Sequence, residues 1–458
     1  MRVLSLLAGL LLFGSTYSQE KGVVLDSLPI PGSDDETYAL YLPKNHDPNN
    51  LSAIVFIFDP AARGAVGVKP FVQAAEKYDY ILVCSNNSKN GPYEPNMEVA
   101  DRLFQHVLSK YAIARERIYT AGFSGGSRLA SAIAVLAGSI QGVIGCGAGF
   151  SGNTAHIPTV GSSFSYVGLI GDRDMNYQEM QRAGLWLSSM KIENEILSYE
   201  DDHRWPPPEQ LVRAIGWLEL QAYKRGIKPR NNNTIENLFR EEHKYALVLE
   251  NEAKISGAVR EYERTIRNFS AYYDLDSLET KIRTLKKSKA YKKESKAFQQ
   301  VAKLEDTLTS KFSRKFYEEV ELERSMDNFK WWRKQLTNLD ERYVANESDY
   351  LQKMGKRLRF QLFALAIESF DRFVREKENK KAIYAAQLLD VQDPDNAFIH
   401  YRLAIGLAKL DLKQESLYHL EGALKNGWKS LDAIESMPAF NILRKEEKFA
   451  QLLEKYKG

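Results

Sequence analysis

Residues 117–130 read Arg-Ile-Tyr-Thr-Ala-Gly-Phe-Ser-Gly-Gly-Ser-Arg-Leu-Ala and contain the pattern Gly-x-Ser-x-Gly. The stretch 117–121 predicts a strand, and the small residues of 127–137 predict a helix directly after the pattern. Glycines on both sides of Ser124 allow a sharp strand-to-helix turn that exposes the serine hydroxyl. The helix N-terminus behind that turn places positive potential at the hydroxyl oxygen. We therefore predict that Ser124 is a nucleophile.

The segments around this turn, from about residue 20 to residue 225, alternate between short apolar runs and amphipathic stretches. Strands are predicted at 22–25, 38–42, 52–58, 80–84, 117–121, 143–146, 164–170 and 195–199, and helices at 68–78, 99–111 and 127–137. Continuous apolar strands separated by helices are typical of a parallel sheet that is covered on both faces. This part of the chain is therefore predicted to be an α/β domain with a mostly parallel sheet.

A partial copy of the serine pattern occurs at residues 148–152, Ala-Gly-Phe-Ser-Gly. Proline and glycine within 153–163 predict that no helix follows it directly, so Ser151 lacks the required turn. The same stretch matches the dinucleotide fingerprint as Gly147-x-Gly149-x-x-Gly152, which needs a helix that begins at the glycines. We predict neither a second nucleophile nor a dinucleotide site here.

A nucleophilic serine needs a base that takes its proton and an acid that orients the base. On this type of sheet the chain order is serine, acid, histidine. Of the seven histidines, only His203 follows the last predicted strand and precedes the last helix of the α/β region. Asp174, three residues after Gly171 at the end of the strand 164–170, is the predicted acid. Asp172 is the alternative acid, or it braces the loop.

The oxyanion that forms during acyl transfer needs two backbone N–H donors. One is predicted to be Gly125, which follows the nucleophile. The other is expected from the loop after the strand 52–58, where Pro60 has no N–H and Ala61 is the preferred donor. This chemistry requires no metal ion and no cofactor.

These residues resemble the α/β-hydrolase superfamily, and within it the polyhydroxyalkanoate-depolymerase and feruloyl- or acetylxylan-esterase branch, together with related dienelactone-hydrolase-like proteins. The matching pieces are Arg117-Ile118-Tyr119, residues 122–126, Gly171-x-x-Asp174 and His203-x-Trp205-Pro206. The resemblance covers about residues 22–225. It implies an α/β-hydrolase fold and an ester substrate attacked through an acyl-enzyme, with Ser124, Asp174 and His203 as the catalytic triad.

Three departures from the family pattern concern the branch and the substrate. The predicted oxyanion loop begins with Asp59-Pro60 where His-Gly is usual, and Asp201-Asp202 stands where many members carry two glycines. No long lid insertion interrupts the domain, which suggests an open site. Dienelactone hydrolases proper use a cysteine nucleophile, whereas this chain has serine at position 124.

The composition of the sequence changes near Tyr223. The polar segment 226–234 follows and predicts a linker. Residues 235–458 are charged and helix-periodic and predict an all-α domain. Tetratricopeptide-like repeats of about 34 residues are clearest at 363–428. The positions that fit two such repeats are Phe373, Ala382, Ala386, Leu389, Pro394, Leu403, Ala404, Leu407, Ser416, Leu420 and Ala423. An unrelated helical bundle is the alternative.

The bulk properties exclude some classes of partner. The chain has 458 residues and a formal net charge of +3, which gives no reason to expect a nucleic-acid partner. Residues 1–18 predict a cleaved signal peptide and therefore a secreted or periplasmic protein, and no later segment predicts a membrane span. Cys84 and Cys146 are interpreted as small buried hydrophobic residues, with a disulfide as the alternative.

The combined hypothesis is a secreted serine esterase that acts on a small-molecule or polymer ester. One alternative is a catalytically silent hydrolase fold that serves as a scaffold for a protein partner on its helical domain. A serine peptidase on the same fold is the other alternative. The sequence does not choose an acyl or alcohol group for the substrate.

Overall fold

The computed structural model describes residues 19–322 and 329–457. The predicted signal peptide, residues 1–18, lies outside the described residues. The described residues divide into two compact units, of which the first comprises 19–169, 184–197 and 205–229 and the second 170–183, 198–204, 230–322 and 329–457. The division after Pro229 lies within the predicted linker, but the second unit also contains the two segments that carry Asp174 and His203.

An eight-stranded sheet forms the framework of the α/β region. Its strands are β1 (Val24–Pro29), β2 (Thr37–Tyr41), β3 (Ser52–Phe58), β4 (Tyr80–Ser85), β5 (Ile113–Phe123), β6 (Gly142–Cys146), β7 (Ser165–Gly171) and β8 (Asn194–Tyr199). Each predicted strand overlaps one of these eight. The strand order is β1-β2-β4-β3-β5-β6-β7-β8.

The central strands of this sheet are parallel. β3 pairs in parallel with β4 and β5, β5 with β6, and β6 with β7, whereas β2 is antiparallel to both β1 and β4. All seven residues of β3 are buried, as expected for a strand that is covered on both faces. This mostly parallel sheet, with an antiparallel strand next to its edge, is the α/β-hydrolase fold that the sequence predicts.

Six α-helices accompany the sheet along the chain. They are α1 (Gly64–Val68), α2 (Val72–Tyr78), α3 (Tyr93–Lys110), α4 (Gly125–Ala137), α5 (Tyr177–Ser189) and α6 (Pro208–Lys224). Helix α4 begins directly after Ser124, two residues before the predicted range 127–137, and it ends at the predicted residue. Pro208 occupies the first position of α6, where its missing N–H costs no hydrogen bond.

The two cysteines lie in β4 and β6, which β3 and β5 separate in the sheet. Both are free and buried, and burial raises the pKa of the thiols of Cys84 and Cys146. The preferred prediction of two small buried hydrophobic residues is therefore confirmed, and the disulfide alternative is wrong.

Residues beyond the linker are helical. The helices are α7 (Asn232–Asn251), α8 (Ile255–Phe269), α9 (Asp276–Lys287), α10 (Lys289–Glu321), α11 (Lys330–Leu339), α12 (Asp349–Glu376), α13 (Asn379–Gln392), α14 (Ala397–Lys409), α15 (Lys413–Lys425), α16 (Leu431–Ser436) and α17 (Glu447–Lys455). Among the described residues, none of these helices combines the length and the apolar character that crossing a bilayer would require.

The residues that predicted repeats are buried in the helical cores. Ala382, Ala386 and Leu389 belong to one core cluster, which α10 to α14 build together. Residues 393–396 join α13 to α14, where the Asn396 side chain accepts a hydrogen bond from the Ile399 N–H at 3.1 Å and caps α14. Burial of these positions also fits other helical arrangements, so the tetratricopeptide-like assignment stays a prediction.

Candidate active site

Ser124 occupies a strained turn between β5 and α4. Its backbone has φ 53° and ψ −120°, a region that side-chain-bearing residues rarely adopt. The Ser124 N–H donates to the carbonyl oxygen of Cys146 in β6 at 2.8 Å, and the Ser124 carbonyl accepts from the Ser127 N–H at 3.0 Å. Strain of this kind at a strand-to-helix turn is the geometry that holds a nucleophilic serine above a sheet.

The glycines of the pattern are required by close backbone contacts. A Cβ atom at position 122 would lie 2.2 Å from the carbonyl oxygen of Gly126, and one at position 126 would lie 2.0 Å from that of Phe58 in β3. Neither backbone oxygen can move without disturbing the helix or the strand. The sequence pattern is therefore a packing requirement of this turn.

Ser151 has no comparable turn. Its hydroxyl accepts from the N–H of Asn153 at 3.2 Å, and the next helical element is a short 3₁₀ turn at Thr154–His156. No helix begins at Gly147, Gly149 or Gly152 in the described structure, in agreement with the prediction that no helix follows this stretch directly.

Asp174 and His203 form a hydrogen-bonded pair within the second unit. The imidazole Nδ1 of His203 lies 2.8 Å from Oδ2 of Asp174, whose side chain is almost fully buried. The other carboxylate oxygen of Asp174 accepts from the N–H of Asn176 at 2.8 Å. The structure thus brings the predicted acid and the predicted base together, and both oxygens of the acid are engaged.

This pairing fixes the chemistry of the imidazole. A carboxylate can only accept hydrogen bonds, so Nδ1 of His203 carries the proton and Nε2 is the basic nitrogen in the neutral ring. A carboxylate in this position also stabilises the imidazolium that forms when Nε2 takes a proton. The pair has the properties of the base and acid that a serine nucleophile requires.

Asp172, the alternative acid, makes different contacts. Its carboxylate accepts from Nζ of Lys353 at 2.9 Å, and its backbone N–H donates to the carbonyl of Tyr199 at 2.8 Å. Burial raises the pKa of the Asp172 carboxyl more than the nearby Lys353 and Arg173 lower it. These contacts match the prediction that Asp172 braces the loop.

A buried guanidinium on α12 also holds this loop. Nη1 of Arg357 donates to the carbonyl oxygen of Asp172 at 2.6 Å, and Nε and Nη2 donate to the two oxygens of Glu305 on α10 at 2.7 and 2.6 Å. Glu305 also accepts from the side-chain amide of Gln178, four residues after Asp174, at 2.9 Å. The loop that carries the acid is therefore tied to two helices of the same unit.

Asp59 organises the loop after β3 in the first unit. Its buried carboxylate accepts from Nε of Arg63 at 2.9 Å and from the indole Nε1 of Trp205 at 2.9 Å. It also accepts from the N–H of Ala61 at 2.9 Å. The Asp59-Pro60 departure from the family pattern is thus an anchor for this loop.

The contact with Asp59 bears on the predicted oxyanion hole. The Ala61 N–H already donates within its own loop, so the structure does not present it as a second oxyanion donor, and that assignment needs correction. The physical reason is that a carboxylate two residues earlier competes for the donor. Gly125 is the first residue of α4, where N–H groups lack acceptors within the helix, and it stays the predicted donor.

The anchor at Asp59 predicts a pH-dependent contribution to stability. Burial alone would raise the pKa of Asp59, but hydrogen bonds from Arg63, Trp205 and Ala61 outweigh it and hold that pKa below its ordinary value. The stabilisation is therefore present above the ordinary carboxyl pKa and is lost as the pH falls through the lower folded-state pKa. At pH 6 we expect the free energy of unfolding of the wild-type protein to be about 1–3 kcal/mol higher than that of Asp59→Asn.

Urea unfolding of both proteins at a series of pH values from 6 to 2.5 measures this difference. We expect the difference to shrink as the pH is lowered. A difference that stays constant over the whole series would contradict the role of the ionised carboxylate.

One other group of side chains could hold a metal ion by composition. Ligand atoms of Asp390, His400 and His419 lie within 4.8 Å of one another among the described residues. Nδ1 of His400 lies 3.0 Å from Nδ1 of His419, and its Nε2 lies 2.8 Å from the carbonyl oxygen of Pro394. These hydrogen bonds engage both nitrogens of His400 and Nδ1 of His419. The prediction that catalysis needs no cofactor stays a prediction.

Comparisons with known proteins give matches at the level of structure. No family model matches the chain, and no curated protein matches its sequence. Among solved structures, S-formylglutathione hydrolase FrmB from Staphylococcus aureus covers 43% of this chain and 95% of its own, with 15% identity and a TM-score of 0.36. An esterase from Pyrobaculum calidifontis covers 44% and 87%, with 13% identity and a TM-score of 0.38.

A feruloyl esterase module from Clostridium thermocellum covers 40% of this chain and 82% of its own, with 14% identity and a TM-score of 0.33. The three proteins named here are one hydrolase and two esterases. The strand order and the turn at Ser124 assign the α/β-hydrolase fold to this chain independently of them.

Proposed function

We propose that this protein is a serine esterase in which Ser124, His203 and Asp174 act as a catalytic triad. The observation that carries the proposal is the strained backbone of Ser124 at the β5–α4 turn, in a chain that also pairs His203 with Asp174 at 2.8 Å. A strained non-glycine residue costs about 1–3 kcal/mol, and such strain persists mainly where function requires it. A serine, a histidine and a buried carboxylate are the three groups that this chemistry needs.

The sheet topology supports the same grouping. Ser124 follows β5 and Asp174 follows β7, and both strands run parallel to β6, which lies between them. Carboxyl ends of parallel strands meet at one edge of a sheet, where ligands of open α/β sheets bind. His203 follows β8, the strand next to β7 in the sheet order.

The proposed reaction proceeds in two stages. His203 takes the Ser124 proton at Nε2 while the serine oxygen attacks the ester carbonyl, and Asp174 stabilises the imidazolium. The tetrahedral oxyanion is stabilised by the Gly125 N–H at the start of α4 and by the positive potential of that helix end. The imidazolium then protonates the departing alcohol, and water hydrolyses the acyl-enzyme by the same route in reverse.

The substrate is proposed to be a small-molecule or polymer ester, and export to the periplasm or the exterior remains a prediction from residues 1–18. A silent hydrolase fold that binds a protein partner is the second candidate. The complete set of serine, base and acid favours an active enzyme over it. Hydrolysis of esters but not of matched peptides would separate the esterase from the peptidase alternative.

The nucleophile assignment is tested by covalent labelling. A fluorophosphonate probe is expected to label the full-length protein at Ser124, because an activated serine oxygen displaces fluoride from phosphorus. Ser124→Ala should abolish labelling, as read by gel fluorescence and peptide mass spectrometry. Ser151→Ala is the matched control and should be labelled like the wild type. Labelling that persists in Ser124→Ala would refute the assignment.

A further inference from the structure

A cavity of about 480 Å³ adjoins His203 within the second unit. Much of its wall comes from α12, which contributes Lys356, Arg359, Phe360 and Phe363; we call this cavity the α12 pocket. The Phe360 ring lies 5.6 Å from the His203 imidazole and 6.0 Å from the nearly parallel Phe363 ring, centroid to centroid. Phe360 is 38% exposed, so an aromatic face remains open to a ligand beside the proposed base.

The charged groups that line the α12 pocket are mostly paired among themselves. Nε of Arg173 donates to Asp202 at 2.7 Å, and Nε of Arg359 contacts Asp340 at 3.2 Å. The third carboxylate in the wall belongs to Asp393 and accepts from the side-chain amide of Asn396 at 2.8 Å. These contacts occupy all three carboxylates of the wall.

Two cationic side chains of the wall, those of Arg359 and Lys356, can still bind an anion. Nη1 of Arg359 is buried and has no hydrogen-bond partner among the described residues, although Nη2 of the same side chain donates to the Gln392 carbonyl at 3.3 Å. Lys356, which is exposed, adds a second positive charge to the wall. A buried guanidinium nitrogen without an acceptor is costly unless a ligand supplies one.

We propose that the α12 pocket binds the alcohol part of the ester and that this part is an aromatic group bearing a negative charge. The proposal rests on the proposed function, because in that mechanism the imidazole protonates the departing alcohol, which must therefore lie beside His203. Phe360 and Phe363 would contact the ring, and Arg359 and Lys356 would bind the anion. The helical part of the chain would then determine substrate specificity.

Direct binding tests the pocket without catalysis. The full-length protein is titrated with 4-hydroxybenzoate and with 4-hydroxybenzamide, which has the same shape and no charge, by calorimetry. We expect the carboxylate to bind about tenfold more tightly, a difference of about 1.4 kcal/mol. Arg359→Gln and Lys356→Gln should each reduce this preference, whereas Lys334→Gln, an exposed lysine of α11, should leave it unchanged. Phe360→Ala should weaken both ligands, and thermal melting verifies that each variant is folded.

Turnover tests the same pocket with substrates. Phenyl acetate, 4-carboxyphenyl acetate and 4-trimethylammoniophenyl acetate are compared through the ratio of wild-type to Arg359→Gln kcat/KM, which cancels their different intrinsic reactivities. We expect a ratio of about ten for the anionic ester, about one for the neutral ester and below one for the cationic ester.

The outcomes separate the two proposals. Charge-selective binding that depends on Arg359 supports the pocket, and if Ser124-dependent turnover is absent in that case, only the esterase assignment fails. Equal binding of the benzoate and the benzamide, or a preference that survives both Arg359→Gln and Lys356→Gln, overturns the pocket. Turnover of all three esters with equal ratios also overturns the pocket and leaves the esterase assignment intact.

Discussion

Replacing Asp174 with asparagine is expected to lower kcat for ester hydrolysis by about 10⁴-fold with little change in folding. The carboxylate accepts a hydrogen bond from Nδ1 of His203 at 2.8 Å and thereby leaves Nε2 as the basic nitrogen. An asparagine amide in the same place can donate to Nδ1, which favours the tautomer with its proton on Nε2. That tautomer cannot accept the serine proton.

Asp172→Asn is the matched control, because Asp172 lies two residues away in the same loop and bonds to Lys353 instead of the histidine. We expect this variant to keep kcat within about tenfold of the wild type, because its side chain pairs with Lys353 and asparagine can still accept a hydrogen bond from that ammonium group. Steady-state kinetics on phenyl acetate and circular dichroism measure activity and folding. The opposite ranking of the two variants would make Asp172 the acid.

Replacing Glu305 with alanine is expected to lower the free energy of unfolding of the second unit by about 3–5 kcal/mol. The substitution removes the only carboxylate that the described structure places on the buried guanidinium of Arg357, whose side chain is 7% exposed. An unpaired buried cation is far costlier than the net gain from a paired one. Because Arg357 also donates to the carbonyl of Asp172, kcat should fall along with stability.

Urea unfolding combined with kinetics at low temperature, where the variant stays folded, measures both effects. Glu305→Leu combined with Arg357→Met removes both charges and is expected to recover much of the lost stability. The double variant cannot recover the hydrogen bond to the Asp172 carbonyl, so kcat should stay reduced while KM changes little. Full recovery of kcat in the double variant would show that this contact does not position the acid.

The strands and the turn at Ser124 could be predicted because local sequence determines them. Strand β3 is buried at all seven positions, so its run of apolar residues is continuous and easy to recognise. The glycines at 122 and 126 contact backbone oxygens of nearby elements and therefore form a fixed pattern around the serine. His203 could be selected because its position relative to the last strand leaves few competitors.

The polar contacts that support the site could not be predicted in the same way. The indole of Trp205 donates to Asp59 across 146 positions of sequence, and Arg357 donates to the Asp172 carbonyl across 185 positions. Such single contacts have no periodicity, and every residue has a main-chain carbonyl, so residue type does not indicate which carbonyl accepts a hydrogen bond. The error at Ala61 has the same origin, because a side chain two residues away takes the N–H in a loop whose conformation the sequence does not determine.

The bond from Arg357 to a main-chain oxygen has a consequence for dissecting this protein. A fragment that stops before Arg230 would retain the aspartate and the histidine but lose the guanidinium and the acidic partner that hold their loop. The helices α10 and α12 are therefore needed to hold the loop that carries the proposed acid. Any transplant of the α/β portion alone would have to provide a new support for that carbonyl.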